Sequence, residues 1–119
     1  MLDERIKNLT HSFCLLRLNG SGYQKLILIG SRARGDYRAD SDHDFVAVVD
    51  DDAPQDVLIG RNEQLLESFR QYYQQHGVKK IDLLISTKSR SEISNPEKND
   101  FVPYACQHDG IVVWEHYNA

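Results

Sequence analysis

Three features of this sequence combine residue types and spacings that phosphate and metal chemistry requires. Gly30 and Ser31 directly follow the apolar run Leu-Ile-Leu-Ile at residues 26–29, which predicts a buried strand. A small pair at a strand end lets backbone N–H groups and a hydroxyl approach a phosphate closely. After ten further residues, Asp42 and Asp44 open a second apolar run, so we expect both carboxylates on one face of a strand.

The third feature is Asp82, a single carboxylate inside the apolar run of residues 81–85. Burying a lone carboxylate in such a strand is costly unless it is paired or binds a metal ion. Three carboxylates held together repel one another, whereas Mg²⁺ accepts oxygen ligands from carboxylates, water and phosphates. Asp42, Asp44 and Asp82 therefore fit two-metal nucleotidyl transfer, in which two Mg²⁺ ions assist an in-line displacement at an α-phosphate.

Two other motifs, one that binds phosphate and one that binds a metal ion, do not match these residues. Residues 30–35 have the glycine spacing of a P-loop, but Asp36 and Tyr37 stand where a lysine and a hydroxyl residue are required. The aspartates beginning at Asp40 resemble the opening of an EF-hand loop, but Phe45 occupies the obligatory glycine position. The sequence therefore predicts neither a P-loop nor an EF-hand calcium site.

A structural explanation stays open for each of these charged residues. Asp42 and Asp44 taken alone are compatible with a solvated acidic turn, and Asp82 is compatible with an ion pair to Lys79 or Lys80. The arginines that follow the glycine–serine pair are equally compatible with solvated charge and with phosphate binding. The metal-site hypothesis depends on a fold that brings the three acidic positions together.

Hydrophobic periodicity predicts the elements that must position these residues. Helices are predicted over residues 3–18, 55–76 and 100–108, and strands over residues 26–29, 43–50, 80–86 and 111–114. Residues 31–42 are polar and are predicted to form a turn that contains one helical turn. The order α-β-β-α-β-α-β, with a hairpin-like strand pair before a helical crossover, predicts an α/β protein with a short mixed sheet flanked by helices.

Composition and charge exclude several classes of function. The 119 residues are enough for one domain, residues 1–119, and the formal net charge of −4 argues against nucleic acid as a partner. Eight carboxylates and one arginine fall between residues 36 and 56, so this acidic segment is either a solvated loop or a cation site. No apolar run approaches the ~20 residues of a membrane span. The two cysteines are far apart without ligand spacing, so we expect a cytoplasmic protein with no membrane partner, no disulfide framework and no zinc site.

The spacing of these residues resembles a known family signature. Gly30-Ser31, ten residues and Asp42-x-Asp44 match the GS-x10-DxD signature of the DNA polymerase beta-like nucleotidyltransferase superfamily. Within that superfamily, the chain looks like a minimal nucleotidyltransferase (MNT) of the antitoxin type, which is encoded beside HEPN toxins. The resemblance extends from the first helix to the closing Gly-Ile-Val-Val-Trp strand and implies a polymerase beta-like nucleotidyltransferase core.

The resemblance implies a role for each matching residue. Gly30 and Ser31 would hold the β- and γ-phosphates of ATP, which is the substrate. Asp42 and Asp44 would coordinate Mg²⁺. Asp82 would complete the second metal site and assist deprotonation of the acceptor hydroxyl. Two arginines of the same segment would help to neutralise the triphosphate, namely Arg32 and Arg34.

By resemblance, the expected activity is Mg²⁺-dependent transfer of AMP from ATP to a hydroxyl of a partner protein. The partner would be a HEPN-type toxin, and the acceptor hydroxyl would be that of a tyrosine. The 119 residues do not include the large substrate domain of RNA-processing and aminoglycoside-modifying relatives, which favours a protein acceptor or a partner chain that supplies the rest of the site. Two alternatives stay open: a non-catalytic antitoxin that acts by binding its toxin, and nucleotidyl transfer to RNA or a small molecule.

Overall fold

A computed structural model describes residues 4–18, 22–52 and 55–116 of the chain, without the side chains of residues 55–62. The strands are β1 (Tyr23–Ile29), β2 (His43–Val49), β3 (Ile81–Thr87) and β4 (Ile111–Glu115). The helices are α1 (Glu4–Arg17), α2 (Ser31–Arg34), α3 (Gln55–Gln75), α4 (Lys88–Ser91) and α5 (Phe101–His108). No helix in these described ranges is both long and apolar enough to cross a membrane.

The structure confirms the predicted order of elements and adds detail at their ends. The helical turn predicted after Gly30 is α2, whereas α4 has no counterpart among the predicted elements. Helix α4 begins with a local cap that periodicity does not reveal, because the Thr87 hydroxyl accepts a hydrogen bond from the Arg90 N–H. Strand β1 begins earlier than predicted because Tyr23 already pairs with Val49 of β2.

The strands form one four-stranded sheet in the order β3-β2-β1-β4. Strand β1 pairs antiparallel with β2 on one side and with β4 on the other, while β2 pairs parallel with β3. A parallel neighbour requires a crossover connection, which α3 provides. This arrangement confirms the predicted mixed sheet flanked by helices. It also places the C-terminal end of β1 beside the N-terminal ends of β2 and β3.

Alternate residues of β2 pack into two separate apolar clusters, one on each face of the sheet. Phe45 belongs to the cluster that includes residues of α1 and α3, whereas Val46 packs with Ala105 of α5. Burial on both faces explains why β1 and β2 are almost continuously apolar. Because side chains alternate along a strand, Asp44 lies on the α5 face, and His43 lies on the face of α1 and α3.

A cluster of buried aromatic side chains fixes α1 and α3 against the sheet. Phe69 of α3 is fully buried, and its ring centroid lies 4.7 Å from that of Phe13 of α1 and 5.3 Å from that of Phe45 of β2. Tyr73 of α3, also fully buried, shares a hydrogen bond with the hydroxyl of Thr10 of α1. These contacts connect both helices to the central strand.

Phe69→Ala is expected to lower the free energy of unfolding by about 3–5 kcal/mol, because it removes a buried ring and leaves a cavity. Leu16→Ala is the control, because Leu16 is 78% exposed. That control is expected to change stability by less than about 0.5 kcal/mol. Urea unfolding followed by circular dichroism measures both values, and equal losses in the two variants would contradict a core position for Phe69.

Candidate functional site

Four of the residues singled out by sequence come together where three strand ends lie side by side. Asp44 of β2 pairs in register with Ile29 of β1 on one side and with Asp82 of β3 on the other. Gly30 and Ser31 follow Ile29 directly. The glycine–serine pair and two of the three carboxylates therefore come from adjacent strands at the same end of the sheet.

Gly30 brings the backbone directly against the Asp44 carboxylate. Its φ of +77° and ψ of −158° lie in a region that is essentially restricted to glycine. A Cβ atom on Gly30 would lie 3.0 Å from Oδ2 of Asp44, which is tighter than an ordinary contact. The Gly30 carbonyl accepts hydrogen bonds from the N–H groups of Ala33 and Arg34, both at 3.0 Å, and so starts helix α2. Conformation and available space both require glycine at this position.

The surroundings of Asp44 at this end of the sheet disfavour its charged form. The pKa of Asp44 is raised above its ordinary value, first by burial and then by the negative charges of Asp42 and Asp82. In the part of the chain that the structure describes, none of these three carboxylates forms an ion pair with a cationic side chain. Their mutual repulsion is therefore not relieved by the described protein groups.

These three carboxylates fit the donor chemistry of Mg²⁺. They offer only hard oxygen ligands, and a divalent cation would offset both the burial and the repulsion that raise the pKa of Asp44. Across residues 4–18, 22–52 and 55–116, no group of three or more His, Cys, Asp or Glu side chains is already gathered tightly enough to hold a metal ion. A Mg²⁺ ion here would therefore depend on water and phosphate oxygens for part of its coordination, as this ion commonly does.

Asp82 has different surroundings from those expected. The sequence predicts a buried carboxylate, but Asp82 is exposed, because it stands near the start of β3, an edge strand of the sheet. Its Oδ1 accepts a hydrogen bond of 3.0 Å from the Leu83 N–H. The alternative ion pair with Lys79 or Lys80 is not present among the described residues. The prediction of burial is wrong, although Asp82 does lie opposite Asp44.

The two arginines of the glycine–serine segment have different neighbours. Arg34 is ion-paired with Asp36 and Asp109, each at 3.3 Å, and its hydrogen bonds to these carboxylates raise its pKa. Arg32 instead donates from Nη2 to the carbonyls of Ala39 and Ser41, both at 3.2 Å. Arg32 therefore ties together the loop that leads into β2, while the charge of Arg34 is partly compensated. Phosphate binding by either arginine stays a prediction.

One residue at the site was not singled out by the sequence analysis. Asp44 and Asp82 border a cleft of about 150 Å³ whose apolar wall includes Ile29, Leu84 and Phe101. Phe101 is 57% exposed at the start of α5. In the sequence, Phe101 continues the apolar pattern of its helix, and this pattern predicts packing. Only the tertiary fold reveals its position beside the carboxylates.

Comparison with known proteins identifies a family for this arrangement. The nucleotidyltransferase domain family matches residues 14–106, a span that includes the glycine–serine pair and all three carboxylates. No curated protein matches the chain.

Solved structures are similar to this chain at low sequence identity. A crystal structure of a toxin–antitoxin with AMP-PNP is 18% identical, with a TM-score of 0.52, and the match covers 92% of this chain and 73% of that one. A crystal structure of a mutant toxin–antitoxin MntA-HpeT is 15% identical, with a TM-score of 0.48, over 97% of this chain and 74% of that one. At such identity, the first of these similarities shows a common fold.

Gly30→Ala is expected to lower the free energy of unfolding by about 1–3 kcal/mol, because it places a Cβ atom against Asp44 in a backbone region unsuited to alanine. Gly77→Ala is the matched control, since Gly77 also has a positive φ but an added Cβ would meet only Arg5 Nη2 at 3.6 Å. Chemical denaturation measures the free energy of unfolding of both variants. A smaller loss for Gly30→Ala than for Gly77→Ala would contradict the close approach to Asp44.

Proposed function

The chain belongs to the nucleotidyltransferase domain family, and on that basis we propose that it transfers AMP from ATP to a hydroxyl of a partner protein. The observation that carries this proposal is the contact geometry of Gly30, whose backbone lies directly against the Asp44 carboxylate. A phosphate held by the Gly30 turn would therefore lie next to carboxylates that favour a divalent cation. This juxtaposition suits transfer of a nucleotidyl group.

We propose that the partner is a HEPN-type toxin and that the acceptor is a tyrosine hydroxyl. The partner is supported by the shared fold of a toxin–antitoxin that was crystallised with AMP-PNP, an analogue of ATP. The HEPN identity and the tyrosine acceptor are supported by the resemblance of the GS-x10-DxD signature to antitoxin-type minimal nucleotidyltransferases.

In the proposed reaction, the acceptor hydroxyl oxygen forms a bond to the α-phosphorus of ATP. The bond between that phosphorus and the oxygen bridging to the β-phosphate breaks, and pyrophosphate leaves with its electron pair. Gly30 and Ser31 bind the β- and γ-phosphates and so orient the leaving group. Asp82 accepts the proton of the acceptor hydroxyl, and its exposure leaves it open to a side chain that arrives from another protein.

Asp42, Asp44 and Asp82 would together hold Mg²⁺, and we propose that two ions bind. When bound, the metal supplies positive charge beside the transferring phosphoryl group and the departing pyrophosphate. Without a cation, three carboxylates repel a triphosphate at short range. We therefore propose that ATP binding at this site requires the metal.

Asp42→Asn/Asp44→Asn is expected to lower AMP transfer by about a hundredfold or more, because it removes two metal ligands from the reacting centre. The protein is incubated with α-³²P-labelled ATP, Mg²⁺ and a lysate of the source organism, and labelled species are resolved by electrophoresis. A labelled protein band that is lost in the variant is the expected result.

The control is Asp52→Asn/Glu97→Gln, which removes the same charge from two exposed positions and is expected to transfer normally. Thermal unfolding verifies that each variant is folded. Equal labelling by the wild type and Asp42→Asn/Asp44→Asn would refute the site. Label in RNA or a small molecule would refute the protein acceptor, and toxin neutralisation without any label would point to an antitoxin that acts by binding.

We expect the Phe101 side chain to stack on a planar ring of a bound substrate next to the carboxylates. Its backbone is held in place, because Asp100 is paired with Arg90 and the Gln107 amide donates to the carbonyls of Ser91 and Ile93. Phe101→Leu is expected to raise the KM of one substrate about tenfold, since stacking is lost while bulk is kept. Phe101→Trp is expected to retain a normal KM.

Steady-state kinetics, with the concentrations of ATP and acceptor varied separately, gives a KM for each substrate. The substrate whose KM rises in Phe101→Leu is the one whose ring stacks on Phe101. A raised KM for ATP identifies the nucleobase, and a raised KM for the acceptor identifies the tyrosine. Unchanged values for both substrates in Phe101→Leu would contradict the stacking role.

A further inference from the structure

A second cavity lies on the other face of strand β2 from Asp44. It encloses about 290 Å³, compared with about 150 Å³ for the carboxylate cleft. Its walls come from Arg32, from residues 39–41 of the loop before β2, from His43 and from residues 77–80 between α3 and β3. Neither Asp44 nor Asp82 borders it, so this cavity is separate from the site described above.

The lining of this cavity has an excess of positive charge. Arg32, Lys79 and Lys80 contribute cations, and Asp40 contributes the single carboxylate. Within the described part of the chain, none of the three cations forms an ion pair. The excess of cations is notable in a chain whose overall net charge is −4. This excess of positive charge favours an anion over a cation as the ligand.

Arg32, which lines the cavity, has one N–H group without a partner among the described residues. Its Nη2 atom donates hydrogen bonds to the carbonyls of Ala39 and Ser41. Its Nε atom is buried and has no hydrogen-bond acceptor among the described residues. A buried guanidinium N–H without an acceptor is costly, and an oxyanion supplies the geometry and charge that this donor group prefers.

We propose that this cavity binds a small phosphate-bearing molecule, with its phosphoryl oxygens on Arg32, Lys79 and Lys80. Arginine forms directed hydrogen bonds to phosphate, and the flexible lysines add charge from the rim. Val78 and Ala39 offer apolar surface for the remainder of a phosphorylated ligand. The proposal does not rest on nucleotidyl transfer, because the cavity and the carboxylate cleft lie on opposite faces of β2.

Isothermal titration calorimetry tests this site with inorganic phosphate and, separately, with AMP, in the absence of Mg²⁺. The wild-type protein is used, because nucleotide binding at the carboxylate site is proposed to require the metal. We expect saturable binding that Lys79→Gln/Lys80→Gln weakens at least about tenfold, the scale of losing hydrogen bonds between charged groups. Lys88→Gln/Lys98→Gln, which changes the charge equally at exposed positions elsewhere, is expected to bind normally.

Ala39→Leu is a second test, because it keeps every cation but narrows the cavity, and we expect it to weaken binding of AMP at least about tenfold. Thermal unfolding verifies that each variant is folded. Equal affinity for phosphate and AMP shows that the cavity recognises the phosphoryl group alone, whereas tighter AMP binding shows that it also recognises the organic part of the ligand. Absence of binding by both probes, or equal affinities in Lys79→Gln/Lys80→Gln and its control, would overturn the proposal.

Discussion

The organisation of this molecule depends on the central position of strand β2, which is hydrogen-bonded along both edges. A strand that is paired on both sides must send its side chains alternately to the two faces of the sheet. On one face, Asp44 is placed between Gly30, which directly follows β1, and Asp82 of β3. On the other face, His43 borders a cavity with a different lining. A one-residue change of register would exchange these two environments and separate the carboxylates.

The fold and the centre of the candidate site follow from sequence because both depend on local patterns. Continuous apolar runs predict β1 and β2, and the resemblance of residues 30–44 to the GS-x10-DxD signature implies that Gly30 and Asp44 belong to one site. Sequence does not predict the exposure of Asp82, because exposure depends on β3 being an edge strand. It also does not predict the neighbours of Arg32 or Phe101, because these are tertiary contacts between segments that are distant in sequence.

The distribution of charge around β2 is more informative than the net charge. On the α5 face, burial and like charges raise the pKa of Asp44, so that side of the sheet favours a cation. On the opposite face, Arg32 and Lys79 stand among an excess of cations, so that side favours an anion. The two faces are separated by one layer of backbone. The negative total charge, which argues against a general affinity for nucleic acid, therefore conceals two surfaces of opposite preference.

The two strands that flank β2 differ in the length of the chain segment that connects each of them to β2. Strand β1 precedes β2 and is joined to it by a short segment that contains α2, whereas β3 is reached only after the 21 residues of α3. Loop-closure entropy increases with the length of the connecting chain, and contacts distant in sequence form more slowly than local ones. The pairing of Ile29 with Asp44, which brings Gly30 against the Asp44 carboxylate, thus joins segments that are close in sequence, whereas the pairing of Asp44 with Asp82 joins distant ones. During synthesis, the first two parts of the site emerge together, and the site is completed only when the chain has been made through β3.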